Sequence, residues 1–92
     1  MPFDSSKWVL ILDRSNDETK AVTDEQLSAC KMHEIAPKTL FCDENPSAGP
    51  CTAVPRVPAW CNPDLGTCLM GVQTTMLDFD NMEENLKKNQ KQ

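Results

Sequence analysis

Blocks of apolar and polar residues in the first half of the chain predict a strand, a helix and a second strand. Lys7–Leu12 is a dense apolar run between polar neighbours, which is typical of a strand that is buried on both faces. Thr19–Ile35 has apolar residues on one side at helical spacing, and Pro37 ends this helix. Thr23 and Gln26 fit a capping box, so the regular helix can begin there.

Short runs of strand-forming residues and one amphipathic stretch follow in the second half of the chain. Lys38–Cys42 and Val57–Asn62 are predicted strands, and Thr67–Val72 follows the latter across a turn that contains Pro, Asp and Gly. Asp43–Ala53 has loop chemistry, with room for one helical turn at most. An apolar stripe at helical spacing predicts a helix over Thr75–Lys88, opened by a capping box at its first residue.

These elements predict an α/β chain, an α+β arrangement with a mixed sheet, in the order β-α-β-β-β-α. A strand, a helix and a further strand imply a right-handed parallel unit, and the hairpin adds antiparallel strands. Four strands in one mixed sheet with two main helices close a single core, which is all that 92 residues can form. We expect a lead-in over residues 1–6, one domain over residues 7–88 and a polar tail over residues 89–92.

The acidic charge balance and the shortness of the apolar runs exclude two classes of partner. The formal net charge is −5 and the isoelectric point is about 4.6, so the chain repels phosphate backbones and nucleic acid is not an expected partner. The longest apolar run, Trp8–Leu12, is far shorter than the roughly 20 residues of a membrane-spanning helix. It is also too short for the core of a signal peptide, which predicts a cytoplasmic protein with no membrane partner.

The segment Val54–Trp60, with the sequence VPRVPAW, places a Val-Pro step at the start of the third predicted strand. Together with Gly71 after the fourth strand and the amphipathic helix beyond it, this order resembles the thioredoxin fold in its short, glutaredoxin-like form. The resemblance runs from about Trp8 to Leu86. It implies that Pro58 follows a cis peptide bond and that its loop borders a groove for extended peptide from a protein partner. The site residues that the resemblance implies for this loop and groove are Arg56, Val57, Pro58 and Trp60.

Two departures from the thioredoxin pattern bear on activity. Thioredoxins and glutaredoxins carry Cys-x-x-Cys or a single cysteine between the first strand and the first helix, whereas Asp13–Lys20 reads DRSNDETK. The helix between the second and third strands is at most a remnant. The resemblance therefore implies a non-catalytic interaction or structural protein, with no catalytic residue and no cofactor. Small acidic domains with cysteines also resemble minor bacteriophage proteins, including virion components, so a phage particle is a second expected location.

Five cysteines cannot all pair within one chain, and two of them lie on opposite strands of the predicted hairpin. If Cys61 and Cys68 face each other, their Cβ atoms are about 4.5–5.5 Å apart. A disulfide needs about 3.5–4.5 Å, so a bridge is feasible but strained, and strained exposed bridges are labile. Free half-buried thiols are the alternative, which a reducing cytosol favours. Cys42 and Cys51 bracket the loop before the third strand and leave the same two alternatives open.

Cysteine chemistry leads to two rival functions. A labile Cys61–Cys68 pair would serve a thiol-disulfide oxidoreductase or a redox switch. Cys30 and His33 lie one helical turn apart, and with that pair they could complete a zinc set of three cysteines and one histidine. Six residues separate Cys61 from Cys68, however, and zinc-binding cysteine pairs have roughly two to four between them. No metal site is therefore predicted, and a zinc-stabilised domain is kept as a third alternative.

Overall fold

Four short strands and four helices make up the part of the chain that the computed structural model describes, which is residues 4–54 and 56–90. The strands are β1 (Val9–Leu12), β2 (Lys38–Phe41), β3 (Ala59–Asn62) and β4 (Thr67–Met70). The helices are α1 (Asp17–Met32), α2 (Gly49–Ala53), α3 (Met76–Asp80) and α4 (Met82–Gln90), and a 3-10 turn at Ser5–Lys7 precedes β1. Of the predicted lead-in and tail, residues 1–3 and 91–92 lie outside the described residues, and α4 continues through residues 89 and 90.

The strands form one mixed sheet in the order β2-β1-β3-β4. Strand β1 runs parallel to β2 and antiparallel to β3, and β4 runs antiparallel to β3. The predicted fold class and the order β-α-β-β-β-α of the main elements are therefore confirmed. Ile11 pairs with Ala59, so Pro58, one residue earlier, lies beside Leu12 at the end of β1. This register brings the loop before β3 next to the segment that enters α1.

Helix α1 begins earlier than predicted because Asn16 caps it. The Asn16 side chain accepts a hydrogen bond from Thr19 N at 2.9 Å, and the Thr19 hydroxyl accepts one from Asn16 N at 3.3 Å. Asp17 and Glu18 in the first turn add the negative charge that a helix N-terminus favours. The capping box therefore lies at the entry from β1.

The predicted capping box at Thr23 and Gln26 is wrong, because both side chains are fully buried inside α1 and not at its start. The Thr23 hydroxyl donates to the Asp13 carbonyl at 2.7 Å and accepts from Asp13 N at 3.2 Å. These two bonds join the end of β1 to the middle of α1. The helix also ends earlier than predicted, at Met32, and Glu34 beyond it has a left-handed φ of 56°.

The last predicted helix is two helices that meet at Asn81. Helix α3 opens with the predicted capping box, in which the Thr75 hydroxyl accepts from Asp78 N at 3.0 Å and the Asp78 carboxylate accepts from Thr75 N at 3.3 Å. The short helix α2 lies in the loop between β2 and β3, where the sequence leaves room for one turn at most. No helix within the described residues is both long and apolar enough to cross a membrane.

The hydrophobic core lies on one face of the sheet, which we call the covered face. The strands contribute Leu10, Leu12, Trp60 and Leu69, all at most 6% exposed. The helices contribute Cys30, Phe79, Met82 and Leu86. Trp60 packs edge-on against Phe79 of α3, with ring centroids 5.8 Å apart. Helices α1, α3 and α4 therefore share one side of the sheet.

The opposite face of the sheet is only partly covered. Because side chains alternate along a strand, Ile11 and Ala59 lie on this face, and both are fully buried. Met70 on the same face is 39% exposed, and its neighbours toward the hairpin turn are half-buried. We call this group of side chains the open face, and its members are Val9, Cys61, Cys68 and Met70.

Candidate functional site

A groove of about 440 Å³ opens where the start of α1 faces the segments that precede β3 and follow β4. Polar side chains come mostly from α1 and its cap, and the facing segments contribute a proline, a glycine, two valines and an arginine. The lining residues are Asn16, Glu18, Thr19, Val22, Arg56, Val57, Pro58, Gly71 and Val72. We call this the Pro58 groove. It brings together three of the four residues that the resemblance implies, which are Arg56, Val57 and Pro58.

Pro58 is fully buried in this groove, and the peptide bond that joins it to Val57 is cis, as the resemblance implies. Because proline has no N–H to donate to a ladder, β3 begins only after it. The Gly71 N–H donates to the Pro58 carbonyl at 2.9 Å and closes this end of the β3–β4 hairpin. Gly71 has a φ of 115°, a conformation that residues with side chains rarely adopt. Within the motif Val54–Trp60, Pro55 lies outside the described residues.

The backbone N–H and carbonyl of Val57 lie beside the groove. Within the described residues, no hydrogen bond engages the Val57 N–H or the Val57 carbonyl. The Val57 side chain is half-buried, and Arg56 before it is exposed. An added strand pairs with groups of this kind, so this residue can hold an extended chain in the groove.

Trp60 supports the groove from inside the core. It is fully buried and does not line the groove, so unlike the other three implied residues it cannot contact a partner directly. Its indole N–H donates to Gln26 Oε1 at 3.0 Å. The same oxygen accepts from Gln73 N at 2.8 Å, and Gln26 Nε2 donates to the Gln73 carbonyl at 2.9 Å. Sequence reasoning missed this role of Gln26, for which the available signal was an amide on the apolar side of the predicted helix.

The segment between β1 and α1, which lies at the groove, contains no sulfur atom. Ser15 N donates to Asp13 Oδ1 at 2.7 Å, and Arg14 forms an ion pair with Asp24 at 3.3 Å. Thr19 supplies a hydroxyl to the groove, and the capping box already engages it. A nucleophile needs a base beside it, and the described lining residues offer no such pair.

Four of the five cysteines form two disulfide bridges. The alternative, expected in a reducing compartment, is that both pairs are free thiols. Cys42 and Cys51 have Cα atoms 5.5 Å apart, and their bridge joins the end of β2 to α2. Cys61 and Cys68 have Cα atoms 3.9 Å apart, and their bridge joins β3 to β4. The free-thiol alternative is therefore wrong for both pairs in this structure.

The Cys61–Cys68 bridge lies on the open face, at a row where the two strands come closest. The hydrogen bond between Gly71 and Pro58 marks one hydrogen-bonded row of the hairpin. Rows alternate in an antiparallel pair, so the register places Cys61 and Cys68 at a non-hydrogen-bonded row. Beside the bridge is a depression of about 250 Å³ to which Val9 contributes. Both sulfur-bearing residues are half-buried, so a small thiol can reach the bridge.

Cys30 and His33 lie at the C-terminal end of α1 and contact different partners, Gln26 for Cys30 and Thr74 for His33. Cys30 is the free cysteine, and burial raises the pKa of its thiol. His33 Nε2 lies 3.0 Å from the Thr74 carbonyl. The described residues hold no group of three or more side chains that could bind a metal ion, and Cys61 and Cys68 are bonded to each other. Within the described residues, the zinc alternative therefore has no set of metal ligands.

Comparison with known proteins adds no assignment. No protein-family model, no curated protein and no solved structure matches the chain. The thioredoxin-like relationship, the bacteriophage or virion origin and the cytoplasmic location therefore stay predictions.

Proposed function

We propose that this protein is a non-catalytic thioredoxin-like domain that binds an extended segment of a protein partner in the Pro58 groove. The observation that carries the proposal is that the backbone N–H and carbonyl of Val57, beside the buried Pro58, bond to no residue that the structure describes. An extended chain that pairs with these two groups adds a short strand to the structure. This is a common mode of peptide recognition, in which main-chain bonds supply affinity and side-chain contacts supply specificity.

The sheet topology supports the proposal. In the thioredoxin fold, the proline loop before the third strand of this order lies beside the end of the first strand, and the peptide groove is there. Pro58 lies beside Leu12 at the end of β1, and the groove is between its loop and the start of α1. The strand order β2-β1-β3-β4 is the one that this placement requires.

The side chains of the groove favour a partner segment with apolar side chains and little net charge. Val22, Val57 and Val72 line it, and apolar contacts with them remove hydrocarbon surface from water. Glu18 and Arg56 also line it with opposite charges, so neither sign of charge is favoured along its whole length. We expect a neutral strand-forming segment to bind best.

Binding in the groove proceeds without thiol exchange. None of the described residues that line it is a cysteine. Cys30, the free cysteine, is 3% exposed and belongs to the hydrophobic core. The partner is therefore held by hydrogen bonds and apolar contacts and is released unchanged.

An NMR titration tests the proposal with a blocked Thr-Val-Thr-Val-Thr peptide as the probe. We expect the amide signals of Val57 and Gly71 to shift on binding, because both lie at the proposed pairing edge. The control peptide carries an N-methyl group on its central residue, which removes one backbone donor. Loss of that hydrogen bond should weaken binding about tenfold. Equal binding of the two peptides, or shifts confined to other regions, would overturn the proposal.

A matched pair of variants locates the site. Val72 lines the groove, whereas Met32 is 73% exposed on α1 and lies outside the lining. Val72→Lys places a charge against an apolar wall and should weaken binding of the probe about tenfold. Met32→Lys adds the same charge elsewhere and should change binding less than about twofold. A similar loss in both variants would mean that overall charge, and not the groove, controls binding.

The bridge on the open face supports a second candidate function, a thiol-disulfide oxidoreductase or redox switch that uses Cys61 and Cys68. The bridge is half-buried and lies in the hairpin of the edge strand β4, so the thiolate of a dithiol can attack it. Thiols counted on the native protein before and after a mild reductant separate the two candidates. A reversible gain of thiols at these two cysteines, with activity toward a disulfide substrate, supports the redox function. A constant count supports peptide binding alone.

A further inference from the structure

One buried side chain, the carboxamide of Gln26, links the segments that form the Pro58 groove. Gln26 is fully buried in α1, one helical turn after Val22, which lines the groove. On the β3 side, Trp60 Nε1 donates to Gln26 Oε1 at 3.0 Å. Trp60 lies two residues after the groove residue Pro58, so this bond connects α1 to the proline loop through β3.

On the β4 side, Gln26 holds both polar backbone groups of Gln73. Gln26 Oε1 accepts from Gln73 N at 2.8 Å, and Gln26 Nε2 donates to the Gln73 carbonyl at 2.9 Å. Gln73 directly follows Gly71 and Val72, which line the groove. These two bonds therefore fix the position of the segment of residues 71–73, which forms the wall of the groove opposite α1.

The hydrogen-bonding capacity of the amide is fully used. A glutamine side chain has an oxygen that accepts two hydrogen bonds and a nitrogen that donates two. Oε1 accepts from Trp60 and Gln73, and Nε2 donates to Gln73 and approaches Cys30 Sγ at 3.7 Å. Leucine at this position would supply none of these bonds. A carboxylate would keep the acceptors and lose the donor to the Gln73 carbonyl.

We propose that Gln26 is the positioning residue of the Pro58 groove, which sets the separation of its walls and through it the affinity for an extended peptide. This inference rests on the proposed function. Gln26 does not line the groove and acts through Trp60 and Gln73. Its removal should therefore change binding and the environment of Gly71 and Val72 more than a core substitution that leaves these bonds in place.

Three variants test the proposal with the blocked Thr-Val-Thr-Val-Thr peptide as the probe, at temperatures where each is folded. Gln26→Leu removes all the bonds, and Gln26→Glu removes the donor. Both should weaken binding about tenfold or more at neutral pH, since one hydrogen bond corresponds to about that factor. The control, Met82→Leu, alters the same hydrophobic core at a residue of α4 that is not a partner of the Gln26 amide and should change binding less than about twofold.

The affinity of Gln26→Glu for the probe, measured over a series of pH values, separates a positioning role of Gln26 from a general contribution to stability. Protonation of the new carboxyl restores a donor for the Gln73 carbonyl, so binding should recover as the pH falls. His33 and Asp78 are titratable groups beside the adjoining segment, through Thr74 and Thr75, and Cys30 contacts the amide itself. The wild-type protein is therefore measured over the same pH range, and the recovery is taken relative to it.

Each outcome decides the matter. Folded Gln26 variants that bind the probe as the wild type does, or a Met82→Leu variant that loses as much binding as Gln26→Leu, would overturn the inference. If Gln26→Leu does not fold, the pH series on Gln26→Glu decides alone, because it compares that variant with itself. If the wild type does not bind the probe, the proposed function fails. Amide exchange at Gly71 and Val72 then decides the positioning role, which predicts faster exchange in Gln26→Glu than in Met82→Leu.

Discussion

The covered and open faces of the sheet are held in different ways. On the covered face, Leu10, Trp60 and Leu69 are at most 6% exposed and pack with three helices. On the open face, Met70 is 39% exposed, and a disulfide joins β3 to β4. Burial of apolar surface stabilises the first, whereas a covalent constraint on the hairpin stabilises the second. Substitutions on the covered face should therefore cost packing energy. Substitutions among the four open-face side chains should cost little unless they break the bridge, whereas the buried Ile11 and Ala59 lie outside this group.

The largest expected effect is at the centre of the covered face. Trp60→Ala leaves a cavity beside Phe79 and removes the bond to Gln26. It should lower the free energy of unfolding by about 3–5 kcal/mol, the range for loss of a buried aromatic side chain. Denaturant titration followed by circular dichroism measures this change. A loss below about 1 kcal/mol would show that the covered face does not dominate stability.

Removal of the bridge should come next. Cys61 and Cys68 are 7 residues apart in sequence, so Cys61→Ser with Cys68→Ser should lower the free energy of unfolding by about 2.5 kcal/mol through chain entropy. The matched control replaces Cys42 and Cys51, which are 9 residues apart, and should lose a similar amount. Thermal unfolding of the two double variants compares them directly. A much larger loss for the first pair would mean that the open face is also held by packing around its sulfur atoms.

Removal of the N-terminal cap of α3, the helix that contributes Phe79 to the covered face, should lower the free energy of unfolding by a smaller amount. Thr75→Ala removes the side chain that accepts from Asp78 N and should lower the free energy of unfolding by about 1 kcal/mol. Hydrogen bonds from the Thr74 and Thr75 backbone N–H groups lower the pKa of Asp78 below its ordinary value of 3.8. The stabilisation is therefore fully present above pH 3.8 and is lost as the pH falls through the lowered pKa.

Unfolding curves at several acidic pH values measure this effect. In Asp78→Asn, the part of the pH dependence that comes from the α3 cap should disappear. The Thr75→Ala variant should show a weaker pH dependence than the wild type, since it lacks one partner of the same box. An unchanged acid profile in Asp78→Asn would mean that this carboxylate does not stabilise the fold.

The smallest expected effect is on the open face away from the bridge. Met70→Thr replaces an exposed side chain in β4 with a β-branched residue that strands accept. The free energy of unfolding should change by less than about 0.5 kcal/mol. The same denaturant titration measures it beside Trp60→Ala. A loss above about 1 kcal/mol would remove the contrast between the two faces.

Local signals in the sequence predict the sheet and part of the groove. The apolar run before Asp13 and the Val57–Pro58 step lie where the resemblance implies, and the cap at Thr75 is confirmed. The predicted start of α1 is wrong because the sequence contains two possible capping boxes, one at Asn16 and one at Thr23. Asn16 is the N-cap residue. Thr23 is buried inside the helix, where its hydroxyl forms two hydrogen bonds with the Asp13 backbone.

Contacts between distant parts of the chain could not be predicted in this way. Gln26 and Gln73 are 47 residues apart, so the amide of Gln26 on the apolar side of its helix indicates a need for partners, but nothing nearby in the sequence identifies Gln73 as one of them. The pairing of Cys61 with Cys68 depends on the register of the hairpin, since a slip of one residue would move one cysteine to the other face. The spacing of the cysteines therefore leaves the bridge as one of two alternatives, and the register decides between them.

Gly71 has a consequence for the divergence of this chain in evolution. Its φ of 115° strains any residue that has a Cβ atom, whatever space surrounds it, and its amide is already committed to the Pro58 carbonyl. A homologue that leaves β4 along the same path should therefore retain this glycine after the groove side chains have changed. A glycine directly after the fourth strand, at a constant distance from a Val-Pro step, is a marker by which distant relatives can be found.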